Sequence, residues 1–513
     1  MKNKDILLDV IGDTDEKLVP DLTVKKNSIL KRTILGGVCA AAVIAGITIL
    51  PKAWNDTEIT PSDNIGSKDD TGNTSSGNIS NTNDTDNTPS AIISNHAMLL
   101  AAATYPKMPA YPDETAYTDW NTYETVFHEW DEARQTLRKQ PDGYQDGFDT
   151  FFFNTTQTFL TGPGNENVVY SPLSLYMALG MSAEMTDGNS RQQILDVLAQ
   201  KDIDTLRSHS KSIWQSTYMD DGMAKCILAN SLWTNSNVNY KQDTIDRIAD
   251  TYYSSVYSGD PVSDDYSNML QNWLNEQTDG LLNDYVSDIK MDPDMVLTLA
   301  STVNYSGKWK DKFSVENTKQ SIFHTASGDI QCDYMNAERD MIYYWGDNFS
   351  SVSLPLENNG HMKLILPDEG YSPNDLLNDE QVKELMLSTW DYPNNRYMLV
   401  NMSIPKFDIS SNIDLREGLN KLGITDIFDS DSSDFTPLTD SSDGIYLSKA
   451  EQDTRVMIDE EGCKASSLAI MMYAGAGIPG EQVDFILDRP FIIEIMSDTG
   501  LPLFVGIVNN PVQ

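Results

Sequence analysis

The sequence predicts an α+β fold with a large, mostly antiparallel sheet, because helical patterns come early in the chain and strand patterns come late. Apolar residues recur at helical spacing in residues 146–160, and Ser171-Pro172 opens a second helical pattern that runs to Gly180. Later apolar segments are short and typical of buried strands, namely residues 229–233, 296–305, 362–366 and 491–496.

The chain is long and strongly acidic. It has 513 residues and a formal net charge of −41, from 36 Lys and Arg against 77 Asp and Glu. This balance excludes a nucleic-acid binder, which needs basic patches against phosphate. The acidic charge suits an extracellular domain, because repulsion between like-charged molecules keeps them in solution. We expect a monomer.

The first 50 residues contain a segment that is predicted to enter a membrane, as an anchor or as a signal. Residues 1–32 are polar with mixed charge and are expected in the cytoplasm, whereas residues 33–50 carry no charge and nearly reach the minimum length for a bilayer span. Basic residues lie mainly before this run, which places everything after it outside the cell. A cleaved secretory signal is the alternative to a retained anchor.

A polar linker and one folded region follow. Residues 51–109 are rich in Asn, Thr, Ser, Asp and Gly over most of their length, so we expect a disordered linker with a short helix at residues 94–103. Residues 110–513 contain no second linker and no repeat, and we expect them to form one folded domain.

Residues 458–490 differ from both an ordinary buried strand and an ordinary loop. With a period of two, Cys463, Ala465, Ser467, Ala469 and Met471 share one face, which is small or uncharged. The only charge of this run, Lys464, falls on the other face. The pattern predicts a strand that can lie inside or outside a sheet, with Gly462 as its hinge. An edge strand that leads into a flexible hairpin is the alternative.

The chain lacks the signatures of an enzyme, a metal site or a cofactor site. Its five histidines show no ligand or triad spacing, its four cysteines form no CxxC pair, and it has no phosphate-binding loop. We therefore expect no catalytic residue, no metal and no cofactor. A Cys226–Cys332 disulfide is compatible with an extracellular location but is not implied.

An ordered set of motifs between about Asp146 and Pro511 resembles the serpin family. Each motif is weak alone, whereas the set in this order is specific. The motifs are NVVYSPLS at 167–174 followed by ALGMSA at 178–183, ANSLW at 229–233, WLNEQTDG at 273–280, NYSGKW at 304–309 with Phe313, IPKF at 404–407, LGITDIF at 422–428, DF at 434–435, DRPF at 488–491 and PLFVG at 502–506.

The resemblance implies a fold of three β-sheets and about nine helices with an exposed reactive-centre loop. It also implies a suicide-substrate inhibitor: a serine protease, or a cysteine protease, cleaves the loop, which then inserts as a new central strand and carries the acylated protease to the far pole. The period-two pattern of residues 463–471 fits this insertion, because an inward charge without a partner would be costly.

The resemblance also assigns site residues. The scissile bond is expected at Ala476–Gly477, with Met472 and Tyr473 as alternatives, and a small residue before the bond favours an elastase-like protease. The hinge comprises Glu460, Glu461, Gly462, Cys463, Lys464, Ala465, Ser466, Ser467 and Ala469. The residues expected beneath the loop, in the regions termed shutter and breach, are Ser171, Ser174, Ser301, Gln452 and Trp309.

Four of these positions depart from the family pattern. Ser301 stands where Asn is usual, Gln452 where His is usual, Cys463 where Thr or Ser is usual, and Lys464 where Glu is frequent; Ser301 and Gln452 can still form hydrogen bonds. A non-inhibitory serpin, acting as a protease substrate or a binding module, is the alternative function. We expect a bacterial cell surface, with the domain extracellular or secreted.

Overall fold

The computed structural model describes residues 38–49, 97–162, 164–357, 359–388, 391–440, 444–462 and 481–513. Within these ranges the chain forms eleven α-helices. They are α1 (Trp120–Arg138), α2 (Phe148–Leu160), α3 (Pro172–Met185), α4 (Gly188–Val197), α5 (Ile203–Thr217), α6 (Gln242–Tyr252), α7 (Asp264–Gln277), α8 (Asn283–Val286), α9 (Pro373–Leu376), α10 (Glu380–Leu387) and α11 (Leu415–Leu422).

Seventeen strands occupy the same described ranges. They are β1 (Val38–Ile49), β2 (Ala97–Ala101), β3 (Val168–Tyr170), β4 (Met219–Asp220), β5 (Lys225–Asn235), β6 (Ser254–Gly259), β7 (Met295–Ser306), β8 (Lys319–Thr325), β9 (Gly328–Trp345), β10 (Phe349–Pro355), β11 (His361–Pro367), β12 (Asn395–Pro405), β13 (Phe407–Asp414), β14 (Ile445–Ile458), β15 (Gln482–Ile486), β16 (Phe491–Met496) and β17 (Pro502–Val508).

The strands form two sheets. Sheet A has the order β13-β14-β1-β7-β5-β6-β2, with β4 paired to β5. Sheet B has the order β15-β12-β9-β10-β11-β16-β17-β3, with β8 paired to β9. Three sheets are expected from the resemblance, but the long strand β9 pairs with β8 and β12 and also, at its end, with β10. It thereby joins what would otherwise be two sheets into sheet B.

Helix α3 lies at the centre of the domain. Each of its residues is buried, as expected for a helix that is apolar all round. Ser171 caps its N-terminus, and Pro172 at the first position is preorganised for a helix. The helix contacts β7 and β1 of sheet A and β17 of sheet B. It therefore packs against the middle of sheet A.

Most segments predicted from the apolar pattern are confirmed. The two helical patterns correspond to α2 and α3, and the four buried strands correspond to β5, β7, β11 and β16. The count of helices exceeds the expected nine within the described ranges. The eleven helices include α1, which lies before the motif-bearing region, and the single-turn helices α8 and α9.

Two segments differ from their predictions. Residues 97–101, expected to be helical within a disordered linker, form β2, which pairs with β6 and is the edge strand of sheet A. Residues 38–49, predicted to belong to a membrane span or a signal, form β1 between β14 and β7. A short uncharged run of Ala, Val and Ile fits a buried strand as well as a helix, and here both sides of the strand find backbone partners.

No membrane-spanning helix is present among the described residues: none of their helices combines the required length with the required apolar character. Over Val38–Ile49, the described part of the span predicted at residues 33–50, the chain forms the strand β1 rather than a helix. The rest of the predicted span lies outside the described residues, as do residues 1–32.

Candidate functional site

The position between β7 and β14 is the centre of sheet A, and we name it the central slot. It is occupied by β1, which is antiparallel to both neighbours. Consequently β7 and β14 run in the same direction. In ordinary sheets adjacent strands lie about 4.8 Å apart, so two strands that flank a third are about 10 Å apart. The central slot is thus one strand wide.

The predicted shutter residues meet beneath the central slot. The side-chain amide of Gln452 on β14 binds the backbone of Ser171 twice: its Oε1 accepts from the Ser171 N–H at 2.9 Å, and its Nε2 donates to the Ser171 carbonyl at 3.1 Å. Ser174 donates through Oγ to the Ser301 carbonyl on β7 at 2.8 Å. These bonds connect the start of α3 to both strands that flank the slot.

The two departures at the shutter have different consequences. Gln452 replaces the usual His and keeps a bonded link to α3, so the network is rewired there. Ser301 contributes its carbonyl, but its hydroxyl is buried without a hydrogen-bond partner among the described residues. A buried unpaired hydroxyl weakens the local structure. Val43 of β1 lies opposite Gln452 on β14 and opposite Ser301 on β7.

The breach lies at the end of β14, where Trp309 is buried. Its indole N–H donates to the Asp459 carbonyl at 2.8 Å. The next residue, Glu460, accepts at 2.6 Å from the hydroxyl of Thr318 and at 2.8 Å from Nζ of Lys406. The chain that leaves β14 is therefore held from two sides just before the predicted loop.

The two neighbouring acids differ in their pKa. Burial raises the pKa of Asp459, an effect that the Glu461 backbone N–H partly offsets by donating to its carboxylate. Burial also disfavours ionisation of Glu460, but the bonds from Lys406 and Thr318 outweigh burial and lower the pKa of Glu460. Glu460 is therefore the charged anchor of the breach at neutral pH.

We expect Glu460→Gln to lower the free energy of unfolding at pH 7 by about 1 kcal/mol, since it loses the ion pair with the partly exposed Lys406. The lowered pKa of Glu460 means that its ionic contribution is present above the usual carboxyl pKa and is lost as pH falls through the folded-state value. Urea unfolding from pH 3 to 7 should show the two proteins converge at the acid end.

A matched control is Glu417→Gln, which removes a carboxylate from the exposed pair with Lys421. It should change the stability little at any pH. If Glu460→Gln behaved like this control, Glu460 would not anchor the breach.

Gly462 is the last described residue before the predicted inserting segment, and its backbone requires glycine. Its φ is +45°, in the left-handed region. A Cβ at this position would lie 2.4 Å from the backbone nitrogen of Trp309. The predicted hinge therefore begins where the backbone lies directly against Trp309.

The remaining predicted hinge residues and all the candidate scissile bonds fall in residues 463–480, outside the described residues. They are Cys463, Lys464, Ala465, Ser466, Ser467 and Ala469 of the hinge, with Met472, Tyr473, Ala476 and Gly477 as the residues of the candidate bonds. Glu461, the other hinge residue, is described and lies half-buried beside Asp459.

The structure gives no cysteine pair or cation site among the described residues. Cys226 and Cys332 are free and lie in different sheets, on β5 and β9, so the disulfide considered from sequence does not form. No group of three or more His, Cys, Asp or Glu side chains in the described ranges could hold a metal ion.

Sequence reasoning missed three contributors to this site. Lys406 lies in one of the motifs, yet its ion pair with Glu460 could not be read from the sequence because the two residues are far apart in the chain. The same holds for Thr318. The third is β1, for which the only signal was a charge-free run that fits a membrane helix and a buried strand equally well.

A family profile described as "Serpin (serine protease inhibitor)" matches residues 147–511. The chain belongs to the serpin family. The match covers the region in which the ordered motifs were found, and serpins are inhibitors rather than catalytic enzymes. The absence of a catalytic cluster in the sequence agrees with this membership.

Known serpins from plants and mammals are similar to this chain over most of their length. Serpin-ZX of Arabidopsis thaliana is 25% identical over 366 residues, which cover 68% of this chain and 93% of the plant protein. The plasma serine protease inhibitor of Mus musculus is 28% identical over 373 residues, which cover 70% of this chain and 89% of the mouse protein.

Solved serpin structures share the fold. The thermophilic serpin tengpin in its native state aligns with a TM-score of 0.62 and 25% identity, covering 72% of this chain and 95% of tengpin. Human thyroxine-binding globulin, solved in complex with thyroxine, aligns with a TM-score of 0.61 and 21% identity, covering 74% of this chain and all of the globulin. The latter likeness concerns the fold alone.

Proposed function

We propose that this serpin is a suicide-substrate inhibitor of serine proteases that uses residues 463–471 as its inserting strand. The observation that carries this proposal is the geometry of sheet A: β7 and β14 run in the same direction and accept one antiparallel strand between them. The chain leaves β14 through Gly462 at one end of that position, and a strand that turns back there would run in the required direction.

The proposed chemistry is arrested proteolysis. The protease's nucleophile attacks the carbonyl carbon of Ala476, the bond to the Gly477 nitrogen breaks, and Gly477 leaves as a new N-terminal amine. The acyl bond joins the protease to Ala476. Insertion of residues 463–471 then moves the bound protease away before water can cleave that bond, so one inhibitor molecule is consumed for each protease molecule.

We propose elastase-like serine proteases as the target class. A small Ala before the bond fits a narrow specificity pocket, and residues 467–483 contain neither Lys nor Arg for a trypsin-like pocket. Cleavage after Met472 or Tyr473 would instead favour a chymotrypsin-like pocket. Cysteine proteases also form an acyl-enzyme, joined through a thioester instead of an ester, and are included in the proposal.

The test is to incubate the full chain with pancreatic elastase and, separately, with trypsin. We expect a complex with elastase that survives denaturing gel electrophoresis. Mass spectrometry should show that the released C-terminal fragment begins at Gly477. A denaturation-resistant complex with trypsin alone would overturn the proposed specificity, and fragments that begin elsewhere would relocate the bond.

A non-inhibitory serpin is the second candidate, and the occupied central slot favours it: while β1 is in place, no loop can insert. In that case elastase would cut the loop without staying attached, and the cut protein would not become more resistant to heat. Thyroxine-binding globulin has the same fold and was solved with a small ligand.

We propose that the inhibitor acts outside the cell. The acidic charge and the polar linker support this location, and serpins are often secreted. Anchoring through residues 33–50 would require β1 to leave sheet A, since one segment cannot be a sheet strand and a membrane span at the same time. Release by cleavage after that segment is the alternative route.

A further inference from the structure

The central slot is filled by a segment that lies far from the motif-bearing region. Strand β1 pairs with β14 from Cys39 to Ile49 and with β7 from Val38 to Thr48. Its backbone thus satisfies the facing N–H and C=O groups of both neighbours along nearly its entire length. Contacts this extensive on two sides define a binding site and its occupant.

The occupant fits the central slot chemically. Ala42, Val43 and Ile44 lie at the middle of β1 and are buried. The whole strand is uncharged, which matters because a charge in this position would be buried without a partner. Helix α3 contacts β1, so the strand has a helix against it as well as a strand on each side.

The proposed reactive-centre segment needs the same position. Residues after Gly462 start at the end of β14 where Val456 pairs with Cys39 of β1. A segment that turns back from there runs antiparallel to β14, as β1 does. The two segments also share a pattern: Cys39 and Cys463 are each followed by a run of mostly small residues and then by a branched aliphatic residue.

We infer that residues 38–49 are an intramolecular ligand of the central slot and compete there with the reactive-centre segment. Each facing backbone group of β7 and β14 can pair with only one strand at a time, so the two occupants exclude each other. This inference deepens the proposed function and rests on it for its consequence: the protease is trapped only when β1 leaves.

The first step of the test locks β1 in place. Ala42 stands opposite Thr302 on β7. Directly opposed residues in antiparallel strands have Cα atoms about 4.5–5.5 Å apart, which is within the range of a disulfide. Ala42→Cys with Thr302→Cys in the full chain should therefore form a disulfide on oxidation, identified by peptide mass mapping. Failure of this disulfide to form would overturn the occupancy of the slot by β1.

The second step measures competition. We expect the oxidised double variant to form at least about tenfold less denaturation-resistant complex with elastase than the reduced protein, because the insertion-competent state is no longer populated. Undiminished complex formation in the oxidised protein would refute the competition. The matched control is Met98→Cys with Ser258→Cys, which links β2 to β6 at the sheet edge and leaves the slot untouched.

A measurement without a protease separates this inference from the proposed function. A labelled synthetic peptide with the sequence of residues 464–475 should bind the reduced Ala42→Cys/Thr302→Cys protein and fail to bind the oxidised one. If the peptide result holds while no form traps elastase, the proposed inhibition is wrong and the competition stands. Equal binding to both forms would refute the competition itself.

Discussion

Replacing Ala465 by glutamate is expected to convert the protein from an inhibitor into a substrate of its target protease. Ala465 lies on the small, uncharged face of residues 463–471, which must turn inward when the segment enters the central slot. A carboxylate there would be buried without a partner, at a cost of several kcal/mol. Because about 1.4 kcal/mol corresponds to a factor of ten, trapping should fall by at least about 100-fold.

The readout is the number of inhibitor molecules consumed per protease trapped, with gel analysis of complex and cleaved product. Cleavage of the loop should continue, so cleaved protein should accumulate while complex disappears. Ser466→Glu is the matched control because it places the same charge on the outward face. Equal effects of the two substitutions would argue against the assigned faces, and unchanged trapping by Ala465→Glu would argue against insertion.

The largest effect on stability is expected for Lys363→Met in sheet B. Lys363 on β11 lies opposite Glu494 on β16, with 3.0 Å between Nζ and Oε2, and both side chains are buried. Nζ also donates to the carbonyls of Leu385, Met386 and Ser388 at the end of α10. Removing one partner of a buried ion pair leaves an uncompensated charge and costs about 3–5 kcal/mol.

The pH dependence gives this prediction a second readout. Burial raises the pKa of Glu494, and in the variant the carboxylate also lacks its cation. The penalty should therefore shrink as pH falls and Glu494 takes up a proton. Urea unfolding at pH 7 and pH 5 should reveal the difference.

The control for this pair is the double variant Lys363→Met/Glu494→Met. Replacing both charges by apolar groups of similar volume removes the unpaired carboxylate, and we expect it to restore a large part of the lost stability. A double variant as unstable as Lys363→Met alone would show that the three carbonyls, rather than Glu494, are the main partners of Lys363.

The sequence predicted the parts of the fold in which local pattern and tertiary environment agree. β7 and β16 are buried through nearly their whole length, and the apolar residues within each strand form short runs that can be recognised without a structure. Ser171-Pro172 marked the start of α3 because a cap and a first-turn proline act locally. The shutter residues Ser171, Ser174 and Gln452 were predicted through the family resemblance, and the structure brings them together.

The misses arise where distant partners decide the conformation. Residues 97–101 are strand rather than helix because the edge of β6 offers them backbone partners, which no local pattern records. Residues 38–49 carry an apolar run whose length fits two environments, and the choice between them depends on β7 and β14. The ion pair of Lys406 with Glu460 likewise joins residues from two separate elements.

The free thiols of β5 and β9 have a practical consequence. Burial raises the pKa of both Cys226 and Cys332, so each stays protonated at neutral pH and is a poor nucleophile toward alkylating reagents. The two other cysteines of the chain, Cys39 and Cys463, belong one to each of the rival segments. Mild alkylation followed by peptide mapping would thus show which of the two competing segments has its cysteine protected from the reagent. The other two thiols would contribute little background.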